Sequence, residues 1–320
     1  MADSAYPKTV LVVGAGASCD YGLPCGRGLV QQIKDLLQSK PDDPLRLNVA
    51  QGLSEGHLAA LDEALHWSRY ETIDEFLASA SEPIAEVTKR LVAAVLLRGY
   101  REFIFKRNHA TRDWLGRLVP QLFAAAAPHR LAVVTFNYDT LIEECVLRAI
   151  RARAGATPLA PPLNTPKDDV GRHSVGLRPD SRMPFNVIHV HGQLAIEVPG
   201  STGPSAATDY VSPDRITDSA SQILVPTDKA ADAIWNHART VISHATRVAF
   251  LGFGFFSLNC KRLQLSDLGD NCEILATRRN LTETQLGQIE SQAFGGRHIT
   301  WLKEEEDCLD AVIRLENLFD

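Results

Sequence analysis

Four consecutive apolar residues, Val10, Leu11, Val12 and Val13, run directly into Gly14-Ala15-Gly16-Ala17-Ser18. An apolar, β-branched run with no polar alternation suits a strand covered on both faces, and such strands belong to parallel sheets. Two glycines in the loop that follows let the backbone approach a ligand closely, and free N–H groups in such a loop can cradle a phosphate. The pair of features points to an open α/β sheet whose first strand ends at a nucleotide site. The loop departs from the dinucleotide fingerprint G-x-G-x-x-G. Cys19 stands at the third glycine position, and the stretch 36–41, about 20 residues on, reads as a helix end where the fingerprint needs a second strand with an acidic residue. A hydride-transferring dehydrogenase is therefore disfavoured. On these residues alone a nucleotide loop and a structural turn remain equal readings.

The rest of the chain supplies the context. Residues 26–38 carry Leu29, Ile33, Leu36 and Leu37 at helical spacing, and 39–44 is a polar break flanked by proline. Helical patterns then fill 55–70, 72–80, 83–107 and 111–126 with no strand between them. Thr72-Ile73-Asp74-Glu75 has the form of a helix cap with acidic residues in the first turn. Strand patterns resume at 131–135 and recur at 186–191, 247–251, 272–276 and 298–302. Helices are expected at 140–153, 228–244, 281–291 and 304–318, and long loops at 154–184 and 196–222. Strands alternating with helices predict an α/β fold, a Rossmann-like doubly wound parallel sheet with a helical insertion domain. The α/β domain would comprise 1–38 and 128–320, and the helical insertion 39–127.

A chain of 320 residues can bury a large core, and 45% hydrophobic with 22% charged residues is ordinary for a globular protein. The net charge of −6 argues against direct nucleic-acid binding or attachment to an anionic membrane. No apolar run reaches the ~18 residues of a membrane span, the longest being 91–97. Residues 1–9 lack a charged-then-apolar leader pattern. Cys19, Cys25, Cys145, Cys260, Cys272 and Cys308 form no C-x-x-C pair, so reduced thiols in a cytoplasmic protein are expected, with no zinc site.

In a doubly wound sheet the ligand lies beyond the carboxyl ends of the strands. Four clusters fall there: Gly14 to Ser18, Thr135-Phe136-Asn137-Tyr138-Asp139, His191-Gly192-Gln193, and Gly252-Phe253-Gly254. Each also has a bland reading. Asn137 and Asp139 precede a helix, where such residues cap. A buried histidine is commonly a satisfied core residue. His189 can share a strand face with His191, but no third metal ligand accompanies the pair. Gly252 and Gly254 suit a tight turn, while Phe253, Phe255 and Phe256 suit core. Thr277-Arg278-Arg279-Asn280 fits either a ligand-facing turn or a solvated one, and Lys106, Arg107 and Arg112 a solvated basic face. Residues 304–307 suit the acidic first turn of the last helix.

Taken together, the clusters resemble the sirtuin superfamily. The glycine loop, with Gly22-Leu23-Pro24 and Arg27, resembles its first motif. Thr135-Phe136-Asn137-Tyr138-Asp139 resembles its T-x-N-x-D, His191-Gly192 its H-G, and Gly252-Phe253-Gly254 its later ribose and phosphate loop. The likeness spans 10–27 and 131–279. Three departures disfavour acyl-lysine peptide binding: no cysteine lies in 193–222, where deacylases carry four zinc-binding cysteines; Cys25-Gly26 replaces the usual D-F; and T-F-N-Y-D replaces T-Q-N-I-D. In these respects the chain is similar to prokaryotic sirtuin-like domains that hydrolyse NAD in anti-phage defence.

The resemblance implies an NAD glycohydrolase, with NAD as substrate and nicotinamide plus ADP-ribose (or its cyclic form) as products. It implies His191 as general base and Asn137 as the group that positions the nucleophile. It places NAD against Gly14, Ala15, Gly16, Ser18, Pro24, Arg27, Thr135, Tyr138, Asp139, Gly252, Phe253 and Gly254, with Asn259 a further candidate. An enzyme that depletes NAD needs restraint, so a sensor or regulatory protein partner or self-assembly is expected. The alternatives are an NAD-dependent deacylase or ADP-ribosyltransferase, and a module that senses NAD or ADP-ribose without turnover.

Overall fold

The structure is a computed structural model that describes residues 6–68, 70, 72–106, 112–124, 130–154, 184–195, 211–225, 228–315 and 318. Its centre is a six-stranded, all-parallel sheet: β1 (Thr9–Val13), β2 (Leu131–Thr135), β3 (Asn186–His189), β4 (Arg247–Leu251), β5 (Glu273–Ala276) and β6 (Thr300–Trp301). The spatial order is β3-β2-β1-β4-β5-β6. The chain builds outward from β1 through β2 and β3, then returns to β1's other side for β4, β5 and β6. This is a Rossmann-like doubly wound α/β fold, and its order reverses between β1 and β4. β1 pairs in register with both neighbours, Val13 opposite Thr135 and Leu251, so three strands end at one level.

Helices cover both faces. They are α1 (Gly26–Leu37), α2 (Pro44–Ala50), α3 (Glu55–Trp67), α4 (Ile73–Ser79), α5 (Glu82–Lys106), α6 (Trp114–Ala124), α7 (Leu141–Ala154), α8 (Pro213–Gln222), α9 (Lys229–Ser243), α10 (Ser257–Leu263), α11 (Glu283–Ala293) and α12 (Cys308–Arg314). Alternate residues of β1 serve opposite layers, as the period of a strand requires. Leu11 and Val13 join one apolar cluster with residues of α1 to α8 and α12. Val10 and Val12 join a second cluster with Trp235 and Ile242 of α9 and Leu263 of α10. The helical block 44–124 thus shares its core with one face of the sheet. Among the described residues no helix is long and apolar enough to cross a membrane.

Several local expectations change. Within the loop expected at 196–222, residues 213–222 form α8. Ser212 accepts from the Arg215 N–H and Pro213 occupies the first turn, both helix-start features hidden in a loop-like composition. Short α2 starts the same way, with Asp43 accepting from Leu45 and Arg46 N–H ahead of Pro44. Helix α10 follows Gly252-Phe253-Gly254, where the sequence offers a tight turn or a ligand loop and no helix after it. The last helix begins at Cys308, not 304, because Asp307 is its cap and forms a reciprocal capping box with Asp310. Arg112 clamps that cap through Asp307 and Asp310, so it is not part of a free basic face. The loop expected at 154–184 lies almost wholly outside the described residues, as do 196–210 and Arg107. All six cysteines are free thiols.

Candidate functional site

The glycine loop after β1 is pressed against the loop after β4. The Gly16 N–H donates to the Gly252 carbonyl at 3.0 Å, the Gly14 N–H to Leu251 at 2.9 Å, and the Ala17 N–H to Gly14 at 3.0 Å. A Cβ on Gly14 would lie 2.6 Å from the Gly252 oxygen, and one on Gly252, whose φ is +58°, 2.1 Å from the Ala17 nitrogen. Close packing of two backbones therefore explains these glycines. The N–H groups of residues 14, 16 and 17 of the expected phosphate cradle are spent on protein carbonyls. Residues 15–21 then wind into a 3₁₀ helix that turns Ser18 inward. This segment is tied to the helical block, since Trp114 Nε1–H donates to the Ala17 carbonyl and the Tyr21 hydroxyl to Asp113.

Ser18, Asn137 and Asp139 form one buried hydrogen-bonded chain. Asn137 Nδ2–H donates to Ser18 Oγ at 2.9 Å, and the Ser18 hydroxyl donates to Asp139 Oδ2 at 2.8 Å. Ionised Asp139 only accepts, so Ser18's single proton goes to it and Ser18 in turn accepts from the amide. That order turns Asn137 Oδ1 away, and this oxygen is buried without a partner. Asp139 Oδ1 accepts from the Leu141 N–H at 3.2 Å, so the expected helix-capping role coexists with the network. Burial pushes the Asp139 carboxyl up to about 6, against the opposing pull of the Ser18 and Leu141 hydrogen bonds.

The loop after β2 is laced to the segment around β3. Val190 N–H donates to the Thr135 carbonyl, Leu194 N–H to the Tyr138 carbonyl, and Thr135 Oγ1 accepts from the Asn137 N–H. His189 faces α7. Its Nδ1 lies 3.1 Å from the Asn137 carbonyl and its Nε2 2.6 Å from Glu143 Oε1. Burial alone would lower its pKa, but Glu143, the Asn137 carbonyl and the Asp139 charge together outweigh that and hold it raised.

His191, two residues on, faces the other layer. β3 has ended at His189, and Gly192 turns with φ +75° against residues 222–224, where a Cβ would lie 1.9 Å from the Gln222 oxygen. The His191 ring sits among Phe136, Tyr138 and Trp235, with centroids 5.5, 6.1 and 5.6 Å away. It is 1% exposed, and neither ring nitrogen has a hydrogen-bond partner. Burial lowers its pKa, so the imidazole is neutral at pH 7. The two histidines therefore do not share a face, which removes the metal pair their spacing allowed. Among the described residues no group of three metal-ligating side chains gathers.

The remaining expected residues scatter more widely. Phe253 lies 4.8 Å from Phe136, centroid to centroid, within the aromatic core. Ala15 is half-buried and Gly254 exposed at their loops. Pro24 and Arg27 lie just before and on the first turn of α1, and Asn259 is buried in α10; the chain of hydrogen bonds above is built without them. Thr277 is a buried support, accepting from the Gly252 N–H at 2.9 Å, and Arg278 pairs with Glu283. Three contributors escaped sequence reasoning. Glu143 drew no reading of its own within the helix expected at 140–153. Trp235 drew none either within the helix expected at 228–244, yet its indole Nε1 is buried without a partner beside His191. Asp74 read as a first-turn acid, yet it accepts from the Tyr138 hydroxyl and so joins the helical block to this loop. A depression of about 610 Å³ between α9 and the end of α10 lies at the opposite, amino-terminal edge of the strands, away from these groups.

No protein-family model matches the chain, and no curated protein sequence matches it.

Proposed function

We propose that this chain cleaves the nicotinamide–ribose bond of NAD by hydrolysis. One observation carries the reading. At the carboxyl edge of a doubly wound sheet, an amide oxygen (Asn137 Oδ1) and a neutral imidazole (His191) are buried without partners. Buried polar atoms are ordinarily satisfied, so such a pair marks groups kept for a ligand. The likeness of the surrounding motifs to the sirtuin superfamily supplies the ligand class.

In this reading Asn137 Oδ1 accepts a hydrogen bond from the attacking water and fixes its position. His191 takes the water's proton as its oxygen bonds to the ribose C1′ carbon. The N-glycosidic electron pair leaves with nicotinamide, and ADP-ribose is the other product. A neutral His191 is in the correct protonation state for this task. Ser18 and Asp139 keep the Asn137 amide oriented, with its oxygen turned away from Ser18.

The closure of the site supports a restrained enzyme. His191 at 1% exposure, packed by three aromatic rings, must be uncovered before substrate reaches it. A partner protein or self-assembly that opens this aromatic cover would be the trigger, and depletion of NAD in an anti-phage response the consequence. The same closure favours a second reading, a sensor that binds NAD or ADP-ribose without turnover.

Nicotinamide release from NAD by the purified chain, resolved by chromatography beside Asn137→Ala and His191→Ala, tests the proposal. Release without any acyl acceptor, abolished by both substitutions in folded protein, is the expected result. Release that survives both would overturn the site assignment. Saturable NAD binding with no release, even in the presence of candidate partners, would favour the sensor.

A further inference from the structure

We infer that the buried His189–Glu143 pair is a positioning device for Asn137, acting on its backbone while Ser18 acts on its side chain. This deepens the proposed reaction and rests on it only for its kinetic readout. Asn137 is gripped from two directions. Ser18 takes its side-chain amide, and His189 Nδ1 reaches its carbonyl at 3.1 Å. A carbonyl only accepts, so Nδ1 must carry a proton. Nε2 then faces Glu143 Oε1 at 2.6 Å, and this separation holds one proton between them. Whether that proton belongs to the imidazole or the carboxyl, Nδ1 remains the donor. Glu143 therefore selects the state of His189 that holds Asn137, as an outer carboxylate selects a histidine tautomer in other sites.

The pair has no other visible task. Both side chains are 4% exposed, so neither meets bulk solvent. A buried ion pair is weak support for stability, since two apolar residues of similar size can replace it at little cost. Among the described residues the hydrogen bond that ties the pair to the rest of the site is the one from His189 Nδ1 to the Asn137 carbonyl, while Glu143 Oε2 is buried without a partner. Without Glu143, the neutral imidazole is free to protonate at Nε2, and the Nδ1 lone pair would then face the carbonyl oxygen. The loop carrying Asn137 would shift, and its Oδ1 would lose its aim at the water.

Three variants separate positioning from plain structural support. Glu143→Leu removes the tautomer control. Glu143→Gln keeps it, because a glutamine amide donates to Nε2 and leaves the proton on Nδ1. The double variant Glu143→Leu, His189→Phe replaces the pair with apolar groups and should recover thermal stability. Long-range ¹H–¹⁵N spectra of imidazole-labelled protein and the Asn137 side-chain amide resonances read the positioning directly. Nicotinamide release reads its consequence. We expect Nδ1 protonated in the native chain and in Glu143→Gln, and displaced Asn137 resonances in Glu143→Leu and in the double variant. The last two should lose at least tenfold in kcat with KM within about threefold, while Glu143→Gln recovers most of kcat. A double variant that regains both stability and full kcat, or Asn137 resonances unmoved in Glu143→Leu, would overturn the inference. If the native chain releases no nicotinamide, the reaction fails while the spectra still decide the positioning claim.

Discussion

Two imidazoles two residues apart mark two differently built halves of the site. On the α7 side, His189 has a partner for each ring nitrogen, and its environment favours the charged form. On the α9 side, His191 has partners for neither, and burial among aromatic rings favours the neutral form. Burial is nearly the same, 7% and 1% exposure, so burial does not distinguish them. Satisfaction does. A buried polar group left unpaired costs about 1–3 kcal/mol, and that cost is the ground on which the proposed function rests for His191.

The sharpest way to break this contrast is His191→Phe. The ring keeps its place among Phe136, Tyr138 and Trp235, while two unsatisfied nitrogens disappear. Nicotinamide release should fall by about 10²–10⁴-fold, the range for losing a general base, while the melting temperature holds or rises. A marked fall in melting temperature would mean that His191 is structural after all.

Gly192 closes the turn that carries the chain from one half to the other. Gly192→Ala combines a positive φ with a Cβ placed 1.9 Å from the Gln222 oxygen. Backbone strain alone costs about 1–3 kcal/mol, and the clash adds to it. Denaturant unfolding should show a loss of at least that size. Retained stability would show that residues 222–224 yield easily and that the turn is not what separates the two histidines.

The halves should also answer pH in opposite senses. The raised pKa of His189 contributes stability that is complete below the unfolded value of about 6.5 and is lost as pH rises through the folded value. The lowered pKa of His191 contributes stability present above about 6.5 and lost as pH falls through its folded value. His191→Phe should therefore flatten the acid side of the stability profile and the double variant at 143 and 189 the alkaline side. Asp139 adds to the first sense. Its carboxyl lies at about 6 against an ordinary 3.8, so its contribution is complete below about 4 and fades as pH rises through 6. That shift corresponds to about 3 kcal/mol, and Asp139→Asn should remove it. Chemical denaturation of each variant across pH 4–9 checks all three slopes.

The smallest effect tests the outer tie. Tyr138→Phe removes the hydrogen bond to Asp74 and should cost about 1 kcal/mol with little change in turnover. A large kinetic effect would move the helical block from support into the site.

Much of the architecture was legible because it rests on local pattern. The apolar run at Val10 to Val13, its counterparts at 131–135 and 247–251, and the alternation of strands with helices announce a doubly wound parallel sheet. What failed was also local in origin. Helix α8 hides among Pro, Ser and Asp, residues that serve a loop and a helix start alike. Asp307 fits the acidic first turn of the last helix in sequence, although its side chain is the cap just before that turn. Ser18, Asn137 and Asp139 could be picked out from their positions at strand ends, but their order of donors and acceptors could not.

The sequence by itself determined where β1, β2 and β4 end, because their apolar runs stop there, but it carried β3 on to His191 when the strand stops at His189. Only the tertiary structure decided which polar group at those ends has a partner. Glu143 meets His189 from 46 residues away and Ser18 meets Asp139 from 121, and pairings across such distances leave no local periodicity to read. Hydrogen-bond satisfaction is a property of neighbours in space, and it is what separates the paired His189 from the unpaired His191.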